Sequence, residues 1–310
     1  MKIRSLILAF AFIASLMLTA ISAAPASEQP LVNTTWLKQH LNDKNIVVLD
    51  VYDGDQHAAF ATGHIKGALF TNFAADGWRV KINGIPGLLP PPADIAKTIG
   101  KFGVDNASHV IVVPGGRQKA DFNAATRVYW TFKALGHDNV SILEGGDKAW
   151  FADAANPVAT GPAAAAPKTF VAHFRPDYVV SRDEMKQALK THSATLVDAR
   201  PPQQYEGKVK SPVVRVAGTI PGAVNVPAFQ VAAADGTRPA DMTTIDKVLA
   251  KAGIKAQGKQ ITFCNTGHLA SGTWFMLHEI KGNKNARIYD GSMADWTSDP
   301  ALPVVNGKGS

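Results

Sequence analysis

The sequence contains one cysteine, Cys264, in 310 residues. A single thiol excludes an internal disulfide, so the fold depends on packing alone. It also narrows the cysteine to two roles, a small buried hydrophobe or a reactive thiol. No group of His, Cys and carboxylate residues has metal-ligand spacing, and no glycine loop of the dinucleotide or triphosphate type is present. The sequence therefore calls for no metal or organic cofactor. The formal charge is +7, yet no dense run of Lys and Arg accounts for it. Nucleic-acid binding would need a basic stripe with aromatics, or a known module, and neither occurs. Scattered positive charge suits a solvated surface and draws small anions toward a cleft. Charged residues make up only 18% and apolar residues 46%, which excludes a disordered chain and allows sizeable cores. The length favours two domains.

Long apolar runs are also missing, with one exception at the start. Lys2 and Arg4 precede an almost wholly apolar run from Leu6 to Ile21, followed by Ser22-Ala23-Ala24-Pro25-Ala26. Positive charge, an apolar stretch and small residues, in that order, predict a secretory signal over residues 1–24, cleaved between Ser22 and Ala26. The run is short for a membrane span, which takes ~20 residues. The expectation is an exported protein, in a bacterial periplasm, with no membrane segment in its mature form.

The chain contains itself twice. Val47-Val48-Leu49-Asp50-Val51 is echoed by Thr195-Leu196-Val197-Asp198-Ala199-Arg200. Gly63-His64-Ile65-Lys66-Gly67-Ala68 returns as Gly218-Thr219-Ile220-Pro221-Gly222-Ala223, and the apolar strand Val110–Val113 as Gln260–Phe263. Gly136, Gly145 and Trp150 recur at constant spacing as Gly282, Gly291 and Trp296. Each copy alternates short apolar strands with helical segments: Trp36–Leu41, Pro92–Phe102 and Ala124–Leu135, then Arg182–Leu189, Met242–Ala252 and Ala270–Ile280. Such alternation predicts βαβ units and a parallel sheet covered on both faces. The reading is an α/β protein of two similar domains, 30–158 and 171–310. They are joined by a linker over 159–170, rich in Pro, Gly and Ala.

Cys264 directly follows a predicted strand and opens the loop Cys264-Asn265-Thr266-Gly267-His268-Leu269-Ala270, with a helix expected from about Ala270. A strand, a tight loop and a helix make an anion cradle: backbone N–H groups turn inward and the helix N-terminus adds positive partial charge. Such a loop stabilises a thiolate, a persulfide or a bound anion. Position alone would suit a buried cysteine, but this context favours the reactive thiol.

Cys-x-x-Gly-x-x-Ala at a strand end in the second of two repeats resembles the active loop of the rhodanese family. The resemblance extends to Asp198-x-Arg200, to Gly-x-Ile-x-Gly-Ala in both halves, and to the glycine turns before Trp150 and Trp296, so it covers nearly all of the mature chain. It implies two tandem rhodanese-like domains. The first is silent, with Val113-Pro114 where the second has Phe263-Cys264. It implies a sulfurtransferase in which Cys264 takes sulfur from a small donor, thiosulfate or 3-mercaptopyruvate, as a persulfide and passes it to a thiol or to cyanide. The phosphatases of similar fold close their loop with an arginine where this chain has Ala270, which removes the phosphate clamp. The rhodanese-type arsenate reductases are small single domains.

The loop departs from the family in one respect. Thiosulfate-specific members have basic residues after the cysteine and mercaptopyruvate-specific members have small ones, whereas here stand Asn265 and Thr266. A second donor-binding arginine is commonly found where this chain has Gln204. Asp198 is expected to fix the loop by hydrogen bonds, and Arg200 either to hold the donor or to form an ion pair in support of the site. His268 either contacts the donor, tunes the thiolate by carrying charge, or is an exposed loop residue. His64, Trp150 and Trp296 read as structural. The neutral loop also motivates a second reading, a persulfide carrier that hands sulfur to a partner protein.

Overall fold

A computed structural model of the chain describes residues 29–54, 56–255 and 257–308. The segment expected to be a signal lies outside them. Among the described residues no helix is long and apolar enough to cross a membrane.

Two five-stranded parallel sheets carry the fold. The first comprises β1 (Leu31–Val32), β2 (Ile46–Tyr52), β3 (Leu69–Asn72), β4 (His109–Pro114) and β5 (Val140–Leu143), in the order β1-β5-β4-β2-β3. The second comprises β6 (Val179–Val180), β7 (Thr195–Asp198), β8 (Val224–Asn225), β9 (Gln260–Phe263) and β10 (Ala286–Tyr289), in the order β6-β10-β9-β7-β8. The strand order is the same in both, so the sequence repeat is a repeat of whole domains. Val47, Val48 and Leu49 of β2 and Leu196 and Val197 of β7 are the residues expected of strands covered on both faces.

The helices start where local chemistry directs. Ser181 accepts a hydrogen bond from the Glu184 N–H while the Glu184 side chain returns to the Ser181 N–H, which caps Arg182–Thr191. Asp241 caps Met242–Lys251 by accepting from Thr244 N–H. Pro92 occupies the first turn of Pro92–Lys101. Trp150 and Trp296 are fully buried, and their indole N–H groups donate to Pro157 O and Pro303 O at 3.1 and 2.9 Å, the same anchor in each copy. His64 stacks on Phe60 and bonds its carbonyl, also inside a core.

Two helices meet at the centre: α1 (Asp121–Ala134) and its repeat partner α2 (His268–Phe275), which continues as a wider turn over Met276–Ile280. Thr126 Oγ1 lies 3.0 Å from Ser271 Oγ, and Tyr129 meets Phe275 edge-on at 5.0 Å. Phe122, Tyr129, Trp274 and Phe275 are all buried there. Each such side chain contributes roughly 1.5–3 kcal/mol. One apolar cluster runs from Leu49 and Val112 of the first sheet through both helices to Val197 and Cys264 of the second. Residues 168–175 lie along the first domain, where Lys168 N–H and His173 N–H donate to Gly100 O and Leu135 O and Arg175 pairs with Asp138.

Each domain also roofs the other. In the first, Val80–Ile82 and Ile85–Leu88 form an antiparallel hairpin. Gly87 there lies so close to Thr266 that a Cβ would stand 2.7 Å from the Thr266 Cβ, and its φ of +82° suits glycine alone. In return, the second domain lays Asp235–Thr237 over the matching loop of the first: Gly145 N–H donates to Thr237 O at 3.3 Å, and Lys148 Nζ reaches Asp235 O.

Candidate active site

Asp198 ends β7 in register with Phe263, which ends β9, so Cys264 leaves the sheet beside Asp198 at the edge where strands terminate. Cys264 is 1% exposed. The chain turns through Gly267, whose φ is +73°, and enters α2 at His268, two residues earlier than the expected start at Ala270. The left-handed glycine closes the loop sooner than a side-chain-bearing residue would. As a result the loop is short, and the N–H groups of Asn265, Thr266, His268, Leu269 and Ala270 have no hydrogen-bond partner among the described residues. Unpaired N–H groups at a helix start are donors waiting for an anion.

Two sets of contacts hold this loop. Ser292 has a φ of +52°, a strain of about 1–3 kcal/mol for a non-glycine residue. Its Oγ accepts the N–H groups of both Cys264 and Gly267 at 3.0 Å and donates to Tyr289 O at 2.9 Å. Met293 and Ala294 N–H donate to the Cys264 and Asn265 carbonyls. Asn265 Nδ2 donates to Gln204 Oε1 at 2.9 Å, while Asn265 Oδ1 is buried without a partner among the described residues.

Asp198 and Arg200 are both fully buried. Arg200 Nε donates to Asp198 Oδ1 at 2.9 Å, Nη2 to Oδ2 at 2.5 Å, and Nη2 also to Gly218 O at 2.7 Å. Asp198 further accepts from Arg200 N–H and from Thr219 Oγ1. Arg200 is thus committed to an internal ion pair at the sheet edge.

Further support reaches the loop from the other domain. Arg127 of α1 is fully buried; its Nη1 lies 2.6 Å from Asp290 Oδ1 and donates to Gly267 O, and its Nη2 donates to Gly87 O. Asp290 Oδ2 accepts from Leu89 N–H at 2.7 Å, just past the hairpin. Arg79, before the hairpin, stacks at 4.4 Å over Phe73, whose ring lies 4.8 Å from that of His268. His268 is half-buried, with Nε2 sealed and unpaired. Burial first, then the charges of Arg79 and Arg127, push its pKa well below the ordinary 6.5, so the ring is neutral at neutral pH. It is therefore neither an exposed loop residue nor a cation.

The structure brings Cys264, its loop, Asp198, Arg200 and Gln204 together at one sheet edge. Arg79, Arg127, Asp290 and Ser292 had not been singled out. Ser292 alone left a signal, since it replaces Gly146 of the first copy only in the half that has the cysteine.

A family model for the rhodanese-like domain matches residues 33–153 and again 181–299. The chain belongs to the rhodanese family. Among similar proteins is one of Mycolicibacterium smegmatis named "Putative thiosulfate sulfurtransferase", 32% identical across 91% of this chain and all of its own length. Another is the sulfur carrier protein TtuD of Thermus thermophilus, 26% identical over 91% of this chain and 99% of its own. Among solved structures, the 3-mercaptopyruvate sulfotransferase SseA of Escherichia coli superposes with a TM-score of 0.72 at 26% identity, covering 85% of this chain and 98% of that one.

In this rhodanese pair the first domain has Pro114 at the position of Cys264, with Val113 in register with Asp50. Its loop holds an anion of its own: Asp121 accepts the Arg117 and Gln118 N–H groups at 2.7 and 3.0 Å. Behind it, Tyr52 donates to Asp147 at 2.9 Å and lies 3.4 Å from Asp50. Burial and the charge of Asp147 raise the Asp50 pKa well above its usual value, and burial raises that of Asp147 to about 6. A carboxyl raised on folding favours the folded state while protonated. That stability is complete below the ordinary 3.8 and is lost as pH rises through about 6. Asp147→Asn should therefore leave stability at pH 4 nearly unchanged and raise it at pH 8 by about 2–3 kcal/mol, read from urea midpoints at the two pH values.

Proposed function

We propose that this rhodanese is a sulfurtransferase that carries sulfane sulfur as a persulfide on Cys264. The observation that carries the reading is the lone cysteine at a strand end, followed by a loop of unpaired N–H groups at the start of α2. With thiosulfate as donor, the Cys264 thiolate attacks the outer sulfur. A new S–S bond forms to Cys264, the old S–S bond breaks, and sulfite leaves with the electron pair. With 3-mercaptopyruvate, the C–S bond breaks and pyruvate leaves after its carbon takes up a proton. An acceptor thiolate, or cyanide, then takes the outer sulfur and restores the thiolate. The terminal persulfide sulfur is anionic, and the loop N–H groups and the helix start stabilise it without rearrangement. No cofactor takes part in these steps. The first domain, without a cysteine, serves as roof.

A second reading has its own support. Cys264 is almost wholly buried under the hairpin, and the residues after it are neutral. Both features suit a persulfide carrier that delivers sulfur to a protein partner, as the name of the Thermus relative describes for that protein. The apolar segment at the start of the chain supports export to a periplasm.

Intact-mass spectrometry after incubation with each donor tests the reading. The expected result is a gain of about 32 Da, lost on adding thiol and absent from Cys264→Ser. Rapid unloading to small thiols or cyanide favours the enzyme, and stable loading with slow unloading favours the carrier. No gain with either donor would overturn the enzyme reading and favour a carrier that receives its sulfur from a protein partner.

A further inference from the structure

The loop around Cys264 has no basic side chain of its own, and the residues nearby that could supply one are already engaged. Arg200 is locked to Asp198 and Gly218. Arg127 is locked to Asp290. Gln204 and Asn265 are neutral and hydrogen-bonded to each other. Arg79 is different. It makes no salt bridge and no hydrogen bond among the described residues, whereas Arg127 and Arg200 each leave one nitrogen unpartnered but are otherwise paired; the Nε of Arg79 is buried without a partner as well. Only the Phe73 ring supports the guanidinium, at 4.4 Å, and that ring leads to His268 at the start of α2. Arg79 also lies within electrostatic reach of Arg127, Asp53, Cys264 and Asp290, though it forms an ion pair with neither carboxylate. An unpaired guanidinium within electrostatic reach of a second arginine and of Cys264, and held by stacking, has the fork geometry that grips sulfonate or carboxylate oxygens.

We propose that Arg79, supplied by the domain without the cysteine, holds the anionic end of the sulfur donor. The inference rests on the persulfide reading of Cys264 and deepens it. Donor recognition crosses the domain boundary, so the neutral residues at Asn265, Thr266 and Gln204 do not leave the donor unheld. The sulfonate of thiosulfate or the carboxylate of mercaptopyruvate sits under Arg79 while its sulfur meets Cys264. Sulfite or pyruvate departs from the same guanidinium.

The test compares wild type, Arg79→Gln and Arg79→Lys in the full chain. Persulfide loading is timed by intact mass over a range of thiosulfate and mercaptopyruvate concentrations. Alkylation of Cys264 by neutral iodoacetamide is timed at the plateau of its pH profile. For Arg79→Gln we expect the half-saturating donor concentration to rise about 10- to 100-fold, as for loss of a charge-assisted bidentate contact. Alkylation should stay within about threefold of wild type, because iodoacetamide has no charge to hold. Arg79→Lys should recover part of the loss. Donor loading that is unchanged in Arg79→Gln would overturn the proposal. So would an equal fall in loading and alkylation, which would mark Arg79 as a structural support. Wild type that loads with neither donor would overturn it through the reading it rests on, and that failure shows before any variant is made.

Discussion

Asp198→Ala should destabilise the second domain by about 3–5 kcal/mol, the usual cost of stranding one partner of a buried ion pair. The substitution removes the acceptor of the Arg200 N–H, of its guanidinium and of Thr219 Oγ1 together, and leaves a fully buried guanidinium with only the Gly218 carbonyl. Urea unfolding followed by far-UV circular dichroism would show the loss as a lowered midpoint. A double change, Asp198→Leu with Arg200→Met, should recover most of it, because no charge then remains to be solvated. If Asp198→Ala unfolds like wild type, the pair contributes little and the sheet edge holds without it. Asp198 and Phe263 end their strands side by side, so softening this edge also loosens the base from which Cys264 projects.

Arg127→Met should be the second costly change, and its effect should be focused on the contact between domains. Arg127 ties Gly87, Gly267 and Asp290 together from a fully buried position. Without it the Asp290 carboxylate keeps the Leu89 N–H but loses its counter-charge, at a cost of about 3 kcal/mol. Hydrogen exchange separates this from a general loss of stability. The Leu89 and Gly267 amides, bonded to Asp290 and Ser292, should lose protection more than amides within β4 or β9. Adding Asp290→Asn should restore much of the stability, since the amide oxygen still accepts from Leu89. Protection lost evenly across the chain would mean that Arg127 supports the core and not the seam.

The parts of this molecule that sequence reasoning reached are those written in contiguous stretches. Alternating apolar strands and helices, the paired Asp50 and Asp198, and the glycine turns before Trp150 and Trp296 each recur at similar spacing, so the duplication and the sheet could be read directly. Cys264 stood out because its strand, loop and helix are neighbours in the chain. Arg79, Arg127 and Asp290 did not. They reach the cysteine from other elements, two of them from the other domain, and nothing local marks an arginine as pointing across a boundary. Arg200 was legible as a residue of the site, but its commitment to Asp198 depends on both being buried. Burial likewise bears on His268: a loop position left donor contact, a charged role and exposure all open, whereas the ring is half-buried beside Phe73 of the first domain and is neutral.

The crossed roofs have a consequence for the unity of the chain. One copy fills its loop with Asp121 while the other holds Cys264. The hairpin of the copy without the cysteine covers its neighbour's loop, and Asp235–Thr237 covers its own. The two halves are interlocked like clasped hands: neither can be removed without harm to the other, because cutting the chain would bare the facing sides of α1 and α2 and unroof both loops at once.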